Sequence, residues 1–371
     1  MGRNPSNPNM QAPTSSTKKE IFLRAARGQQ PERVPTWIMR QAGRYLPRYQ
    51  EIRRRHSFLE VAKTPELAGE VSLEPYRVLD VDAIIVFSDI LVVAEAMGVP
   101  LKINDDGPQL GNPVVDWKAA ESLKEFEPER ETRFVGDAIR EIARVAGPDV
   151  PVLGFAAAPW TLACYLVQGT TRGDLSTIKR MMYAEPALLH ALLEKISHVT
   201  ARYLKMQIEA GAAAVQIFDT WAGELSAHDY EVFELRATQK LIEELNAGTA
   251  PVILYAKNGA HLLSALARTG ASVLSVDWRT DLAEARLKIG AKIALQGNVD
   301  PAMLLSTEEN VQWTVREAIT KTKGTGHILN LGHGILPTTP VANAQTFVRA
   351  AREFSQAKPR QAAATPDTAG R

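Results

Sequence analysis

The sequence predicts an α/β protein built as a single (β/α)8 barrel of the TIM type. Eight short apolar runs recur along the chain, most of them rich in Val, Ile and Leu without polar alternation, as in strands that are buried on both faces. Amphipathic helical stretches follow most of these runs, and eight strands alternating with helices are what a closed barrel requires. The alternative is an open doubly wound sheet. It is disfavoured because the sequence contains neither of the glycine-rich phosphate loops that such a sheet normally carries.

The predicted strands comprise residues 34–39, 83–87, 152–157, 213–218, 251–256, 272–276, 293–296 and 327–331. The clearest predicted helices comprise residues 65–78, 187–210, 229–245, 281–288 and 307–321, and the first of them begins with Thr64-Pro65-Glu66, a typical helix start. The loop after the second predicted strand is unusually long. We expect a small hairpin in it, formed by residues 100–103 and 109–115 around a turn at 104–107.

The composition describes a globular chain that can be divided into a domain and two tails. Residues 1–16 are rich in Pro, Asn and Ser, and residues 356–371 in Ala, Pro, Gln and Thr, so both are predicted to be disordered. Residues 17–355 then form one catalytic domain. The net charge of +1 excludes nucleic acid or an anionic membrane as a partner recognised by overall charge.

Two features bear on the compartment. The long uncharged run at 150–168 contains Pro159, so a strand followed by a helix explains it better than a membrane span. The single cysteine, Cys164, excludes an intramolecular disulfide, and the N-terminus lacks the pattern of a signal peptide. We therefore expect a cytoplasmic protein.

The segment after the first predicted strand carries two arginines, Arg40 and Arg44, with Ala42 and Gly43 between them. If a helical turn forms here, the spacing puts both guanidiniums on one face. Arginine binds carboxylates through two parallel hydrogen bonds. Four further arginines follow at positions 48, 53, 54 and 55, with only Glu51 against them. A solvated basic loop is the ordinary alternative, but the cluster indicates a site for a polyanionic ligand.

Polar residues also follow nearly all of the remaining predicted strands. Asp89 follows the second strand in strongly apolar surroundings, where a carboxylate needs donors or a cation, although a helix N-cap is an alternative. His333 lies between two glycines after the last strand, and a structural and a catalytic role are both open. Tyr165 could belong to the core, but its hydroxyl would then need a partner. The seven histidines are scattered, so we predict no metal site.

Six motifs in this order resemble the uroporphyrinogen decarboxylase family: PTWIMRQAGRYLP at 35–47, FSDI at 87–90, FAAAPWTL at 155–162, QIFDTWAG at 216–223, QGNVDP at 296–301 and NLGHG at 330–334. The resemblance implies a (β/α)8 barrel and a carboxy-lyase that works without metal or organic cofactor. Such an enzyme converts the acetate side chains of uroporphyrinogen III to methyls, which gives coproporphyrinogen III in the pathway to haem and chlorophyll. It also implies a homodimer.

The resemblance further implies roles for the strand-end residues. Arg40 and Arg44 should hold substrate carboxylates together with the loop between them, namely Gln41, Ala42 and Gly43. Asp89 should accept hydrogen bonds from the pyrrole N–H groups and stabilise the cation that forms when a pyrrole carbon is protonated. These three charged residues are the expected catalytic groups.

Three more residues, Tyr165, Thr220 and His333, should line the cleft and contact substrate carboxylates. Thr220 stands where Ser is also familiar in the family, so a hydroxyl is kept. The proton donor stays open, because the pKa of arginine makes it a reluctant general acid. A substrate carboxyl, or a water held by Arg40, could serve instead, and we favour an electrostatic role for both arginines.

Two other functions are possible for such a barrel. Some cobalamin-dependent methyltransferases share this barrel but bind zinc through Cys and His, and the chain offers only Cys164 with no histidine spaced to join it. A tetrapyrrole carrier without turnover would use the same residues as the enzyme.

Overall fold

The computed structural model describes residues 16–104, 107–170 and 174–356 of the chain. The two predicted tails lie almost wholly outside the described residues, and so do positions 105 and 106 of the predicted hairpin turn.

The described residues contain two sheets. A two-stranded antiparallel hairpin is formed by β2 and β3, and the other seven strands form a parallel sheet in the order β1-β4-β5-β6-β7-β8-β9. The strands are β1 Ile84–Ile85, β2 Leu101–Asn104, β3 Gly107–Leu110, β4 Val152–Ala157, β5 Ala214–Asp219, β6 Val252–Ala256, β7 Val273–Val276, β8 Ala294–Val299 and β9 His327–Leu331. The parallel sheet and its sequential order confirm the TIM-like fold class.

The first predicted strand, 34–39, is wrong as a strand, because only Thr36 forms a bridge, to Leu329 of β9. The carbonyl of Thr36 accepts the Asp82 N–H at 2.7 Å, and the Trp37 N–H donates to the Leu329 carbonyl at 3.3 Å. The segment is thus hydrogen-bonded on both sides and closes the curled sheet between β9 and the residues before β1.

Side chains explain why this segment is not a regular strand. The carboxylate of Asp82 accepts the Thr36 N–H at 2.9 Å, and the amide oxygen of Asn330 accepts the Met39 N–H at 2.8 Å. Backbone groups that would otherwise pair with neighbouring strands are therefore satisfied by distant polar side chains.

The helices that surround the sheet are α1 Lys18–Ala26, α2 Pro47–Arg55, α3 Phe58–Lys63, α4 Pro65–Leu79, α5 Val92–Ala96, α6 Trp117–Ser122, α7 Pro128–Glu131, α8 Arg133–Ala146, α9 Pro159–Gln168, α10 Ser176–Ala184, α11 Pro186–Glu209, α12 Ala227–Asp229, α13 Arg236–Leu245, α14 Leu263–Leu266, α15 Leu282–Ile289, α16 Glu308–Thr322 and α17 Val341–Gln356. Four of the five predicted helices match α4, α11, α15 and α16 within two residues. Pro65 is the first residue of α4, as predicted.

The predicted helix at 229–245 is wrong as one regular helix. The structure divides it into the end of α12, a π-helical segment, Tyr230–Leu235, and α13. A π-helical segment changes the phase of the side chains along the axis. Glu234 lies in this segment and is fully buried.

The core is one cluster of apolar side chains that extends from Phe22 to Ala351 and lies between the sheet and the helices. The uncharged run at 150–168 forms β4 and α9, which confirms the prediction of a strand followed by a helix. No helix in the described ranges is long and apolar enough to cross a membrane.

Candidate active site

The predicted site residues follow different strands at one end of the sheet. Because the seven strands are parallel, the loops after them meet at the carboxyl end, where barrel enzymes place their chemistry. Thr220 and Lys257 come directly after β5 and β6, and His333 comes two residues after β9.

The loop that carries Arg40 and Arg44 is a series of turns. Arg40 has a φ of 60°, in the left-handed region, and α2 begins only at Pro47. The helical turn that would put both guanidiniums on one face therefore does not form. Ala42 and Gly43 are half-buried, and a Cβ on Gly43 would lie 3.1 Å from the Arg40 carbonyl oxygen, so this turn is tight.

Gln41 holds this loop in place. Its side chain is fully buried: Oε1 accepts the Ile38 N–H at 3.2 Å, and Nε2 donates to the Ala83 carbonyl at 3.1 Å. The hydroxyl of Tyr45 donates to the Gln41 carbonyl at 2.7 Å. Gln41, expected among the binding residues, thus turns its side chain into the protein and positions the arginines.

Arg40 lies against the loop after the last strand. A Cβ on Gly334 would come within 2.4 Å of the Arg40 Cδ, so this glycine leaves the space that the arginine side chain occupies. The Ile335 N–H donates to the Met39 carbonyl at 2.9 Å and joins the two loops. This contact explains the glycine after His333 in the sequence motif.

The arginines of this segment fall into two groups. Within the described ranges, neither Arg40 nor Arg44 forms an ion pair, and both side chains are exposed. Arg48 pairs with Glu51 and Glu70, both at 2.6 Å. Arg40 and Arg44 are thus the two arginines of the segment that lie on the loop before α2 and form no ion pair among the described residues.

Asp89 follows β1 by four residues and is half-buried. Its Oδ1 accepts the Leu91 N–H at 2.8 Å. It is not an N-cap, because α5 begins at Val92 with Leu91 as the cap residue. Burial raises the pKa of Asp89, while the Leu91 N–H and the nearby Arg40 oppose that rise. A carboxylate held this way can accept further hydrogen bonds from a ligand.

Tyr165 lies on α9, the helix that follows β4, and Thr220 directly follows β5. The ring of Tyr165 packs edge-on against Trp221, with ring centroids 6.4 Å apart. Burial raises the pKa of Tyr165, and the negative charge of Asp89 adds to the rise. Thr220 is half-buried next to Trp221. Arg40, Asp89 and Tyr165 therefore share one region.

Arg44 has a different neighbour. Burial raises the pKa of Tyr49, while Arg53 and Arg44 oppose that rise. Arg44 thus lies toward α2, at the outer side of the loop, while Arg40 reaches toward Asp89.

His333 is half-buried, and its surroundings define its protonation. Burial lowers its pKa to about 4, and the positive charges of Arg40, Lys257 and Arg279 contribute. Its Nδ1 accepts the Gly334 N–H at 2.6 Å. A neutral ring that accepts at Nδ1 carries its proton on Nε2. His333 can therefore donate one hydrogen bond to an anion.

A buried carboxylate pair, which sequence reasoning did not identify, lies beneath the loops after β4 and β5. Asp219 and Glu234 are both fully buried. Burial raises the pKa of each, and for Glu234 the charge of Asp219 adds to it. Asp219 Oδ1 accepts the Thr161 hydroxyl at 2.7 Å, and Glu234 Oε2 accepts the Trp160 N–H at 2.8 Å. The pair anchors the start of α9.

One sequence signal could have indicated Glu234. It lies four residues after Tyr230 and four before Thr238, on a face that is otherwise buried. The Thr238 hydroxyl donates to Glu234 Oε1 at 2.6 Å. A glutamate surrounded at helical spacing by buried residues is a candidate for an inward position.

Side chains that could bind a metal ion are not clustered in the described residues. In the part of the chain that the structure describes, no three His, Cys, Asp or Glu side chains are grouped closely enough to hold a metal ion. Cys164 is buried, and burial raises its pKa. A thiol in this environment is a poor nucleophile and a poor metal ligand.

The chain is similar to known proteins of one family. The family model described as "Uroporphyrinogen decarboxylase (URO-D)" matches residues 17–354. A uroporphyrinogen decarboxylase from Trichlorobacter lovleyi is 46% identical over 336 residues, 90% of this chain and 98% of that protein. One from Geobacter metallireducens is 45% identical over 336 residues, with the same coverage.

Solved structures show the fold. A methyltransferase from Methanosarcina mazei superposes with a TM-score of 0.76 at 23% identity, covering 91% of this chain and 99% of that one. A B12-independent methionine synthase from a Shewanella species gives a TM-score of 0.54 at 12% identity, covering 78% of this chain and 86% of that one.

Proposed function

This chain belongs to the uroporphyrinogen decarboxylase family and is a carboxy-lyase of porphyrin biosynthesis, and on that premise we propose how its residues perform the reaction. The carboxyl-end loops hold the uroporphyrinogen macrocycle, with Asp89 at its centre and Arg40 at its edge. The observation that carries the proposal is that the half-buried carboxylate of Asp89 lies near the exposed guanidinium of Arg40, which forms no ion pair among the described residues.

The substrate explains this combination of charges. Uroporphyrinogen is a flexible tetrapyrrole with acetate and propionate carboxylates at its rim and pyrrole N–H donors at its centre. Asp89 accepts hydrogen bonds from the N–H groups, while Arg40 and Arg44 hold rim carboxylates through charge-assisted hydrogen bonds. His333 donates from Nε2 to a carboxylate, and Tyr165 and Thr220 line the cleft with hydroxyls.

Asp89 also stabilises the reaction intermediate. Protonation of a pyrrole carbon creates a cation that can take up the electrons left when carbon dioxide departs from the acetate. A preorganised carboxylate in a water-poor site stabilises such a charge as it develops. Arg40 and the Leu91 N–H favour the ionised form of Asp89 against the effect of burial. Protonation of the exocyclic methylene that remains gives the methyl group, and loss of the proton from the ring carbon restores the pyrrole.

The proton donor in this scheme is not an arginine. His333 is neutral near pH 7, because its pKa is lowered to about 4, and Tyr165 has a raised pKa. We assign proton delivery to water or to a substrate carboxyl held by Arg40, and give both arginines an electrostatic role.

We also propose that residues 17–355 act as one catalytic domain. The enzyme works as a homodimer in the cytoplasm. It needs no metal or organic cofactor. Sedimentation of the purified protein tests the dimer. Activity after exhaustive chelation and dialysis tests the cofactor proposal.

The reaction itself can be tested directly. Purified protein is incubated anaerobically with uroporphyrinogen III, and the products are oxidised and separated by carboxyl number. We expect successive loss of carboxyl groups to the tetracarboxylate product. Uroporphyrin that persists unchanged at stoichiometric enzyme would contradict catalysis and would favour a carrier.

A further inference from the structure

Lys257 has no role in the proposed mechanism, yet it lies at the carboxyl end of the barrel. It follows β6 directly and is half-buried. Its backbone is fixed on both sides: its N–H donates to the Asp219 carbonyl at 3.2 Å, and its carbonyl accepts the Gly223 N–H at 3.1 Å. Within the described ranges its ammonium has no carboxylate partner. A half-buried lysine without an anion is unusual in a folded protein.

A second cation follows the next strand. Arg279 lies three residues after β7, with its guanidinium 4.1 Å from the ring centroid of Trp278. Its Nη1 donates to Asp277 Oδ2 at 3.0 Å. The same oxygen accepts the Asn258 N–H at 2.8 Å. The fully buried Asp277 therefore links the loop of Lys257 to that of Arg279.

These loops support the loop that carries His333. The Tyr255 hydroxyl donates to the Gly332 carbonyl at 2.9 Å, and its ring centroid is 6.0 Å from that of His333. A Cβ on Gly332 would lie 2.4 Å from the Trp278 backbone nitrogen. The loop after β9 thus rests on the ends of β6 and β7.

The strand order places these cations across the barrel from the arginine loop. Counting the Thr36 segment as the first position, β1, β4, β5, β6 and β7 occupy the second to sixth positions. In a ring of eight, the fifth and sixth positions lie opposite the first and second. Lys257 and Arg279 therefore face the region of Arg40 and Asp89 from the other side.

We propose that Lys257, assisted by Arg279, forms a second carboxylate-binding group for the substrate, on the far side of His333 from Arg40. This inference rests on the proposed function, since it names a further contact of the same macrocycle. Arg279 is partly neutralised by Asp277, so Lys257 carries the larger share.

The physical consequence is that the macrocycle is bound at two opposite edges. A flexible macrocycle held at one edge could pivot about Arg40, whereas carboxylates bound at opposite edges fix its centre over Asp89. Loss of one charge-assisted hydrogen bond in a half-buried site weakens binding by about tenfold. The effect is expected in KM, because the contact is made in ground state and transition state alike.

The test compares Lys257→Met with Lys288→Met. Lys288 is exposed on α15, on the helical exterior, so its replacement removes the same charge away from the cleft. We expect Lys257→Met to raise the KM for uroporphyrinogen about tenfold while kcat stays within about twofold of the wild-type value. Lys288→Met should leave both parameters unchanged. Arg279→Met should raise KM by a smaller factor than Lys257→Met.

A second readout does not depend on substrate. Removal of the Lys257 charge should raise the pKa of His333 from its value of about 4, because one of the cations that disfavour protonation is gone. Nuclear magnetic resonance of histidine-labelled protein, with the His333 signal assigned from a His333→Gln variant, measures the shift. Lys257→Arg keeps the charge and should recover most of the lost affinity.

The outcomes separate the two claims. Failure of the wild-type protein to decarboxylate uroporphyrinogen would overturn the proposed function, whatever the His333 titration shows. Normal wild-type turnover with the same KM in Lys257→Met and Lys288→Met would overturn the second binding group alone. Equal KM values for Lys257→Arg and Lys257→Met would also overturn it, since charge would then not be the cause.

Discussion

The basic segment at 40–55 contains two regions that look alike in sequence and differ in the folded protein. Arg40 and Arg44 stand on a tight loop without an ion pair within the described ranges, whereas Arg48 on α2 is held by Glu51 and Glu70. Arg55 also contacts Glu51, at 3.4 Å. The number of arginines therefore overstates the size of the site. Arg53 and Arg54 also form no ion pair among the described residues, but they lie on α2, so position on the loop as well as the nearby anions distinguishes Arg40 and Arg44.

The most demanding test of this difference replaces one arginine from each region. Arg40→Met should lower kcat/KM by about a thousandfold, equivalent to about 4 kcal/mol, because it removes the guanidinium nearest to Asp89. Arg48→Met is the matched control and should change kcat/KM by less than about twofold, since exposed ion pairs contribute little. Anaerobic steady-state kinetics measures both. Equal losses in the two variants would remove the distinction between the regions.

Arg40→Lys sharpens the same comparison, since it keeps the charge but loses the planar fork. We expect kcat/KM between the wild-type and Arg40→Met values. Nearly full activity would show that fork geometry is unimportant and that our interpretation of Arg40 is wrong.

The next expected effect concerns Gln41, which supports the loop that carries Arg40 and Arg44. Gln41→Leu leaves the Ile38 N–H and the Ala83 carbonyl without the partners that they have in the wild-type protein. The free energy of unfolding should fall by about 3 kcal/mol, because two buried polar groups lose their hydrogen bonds. Urea denaturation measures the loss. A variant as stable as the wild type would show that Gln41 does not position the arginines.

A smaller expected effect concerns the difference between a half-buried carboxylate and a fully buried one. Asp89 is half-buried beside Arg40, whereas Asp219 is fully buried beside Glu234, and burial raises the pKa of both members of that pair. The folded pair holds protons that the unfolded chain releases in the ordinary carboxyl range. Its contribution to stability is therefore complete below that range and is lost as the pH rises through the raised pKa values.

Asp219→Asn should flatten this dependence. As the pH rises from 5 to 8, the free energy of unfolding of the variant should increase by about 1–2 kcal/mol relative to that of the wild type, because one buried charge is absent. Denaturation at both pH values measures the difference. Parallel pH profiles for the two proteins would contradict the raised pKa of the pair.

The sequence predicted much of the fold because buried strands carry continuous apolar runs. Residues 152–157 and 251–256 match β4 and β6 for this reason. The prediction of a strand at 34–39 failed because the backbone of this segment is hydrogen-bonded in part to the side chain of Asn330, nearly three hundred residues away. Local apolar pattern cannot reveal that a distant side chain will replace a strand.

The positions of the candidate site residues were predictable to a similar extent. Asp89 and His333 were identified because a polar residue after an apolar strand is unusual, and the structure places both near Arg40. Two features were not predictable: the inward turn of the Gln41 side chain, and the lack of a carboxylate partner for Lys257 among the described residues. Both depend on which groups from distant strands arrive nearby, and that is set by the closed sheet.

The central claim is that Asp89 acts on the reacting ring through its negative charge. Asp89→Asn keeps the shape and the acceptor oxygen for the Leu91 N–H. Anaerobic kinetics on uroporphyrinogen III should show kcat reduced by about a thousandfold with KM within about tenfold of the wild-type value, because the transition-state charge loses its counterpart. An Asp89→Asn enzyme with a kcat near that of the wild type would contradict the claim.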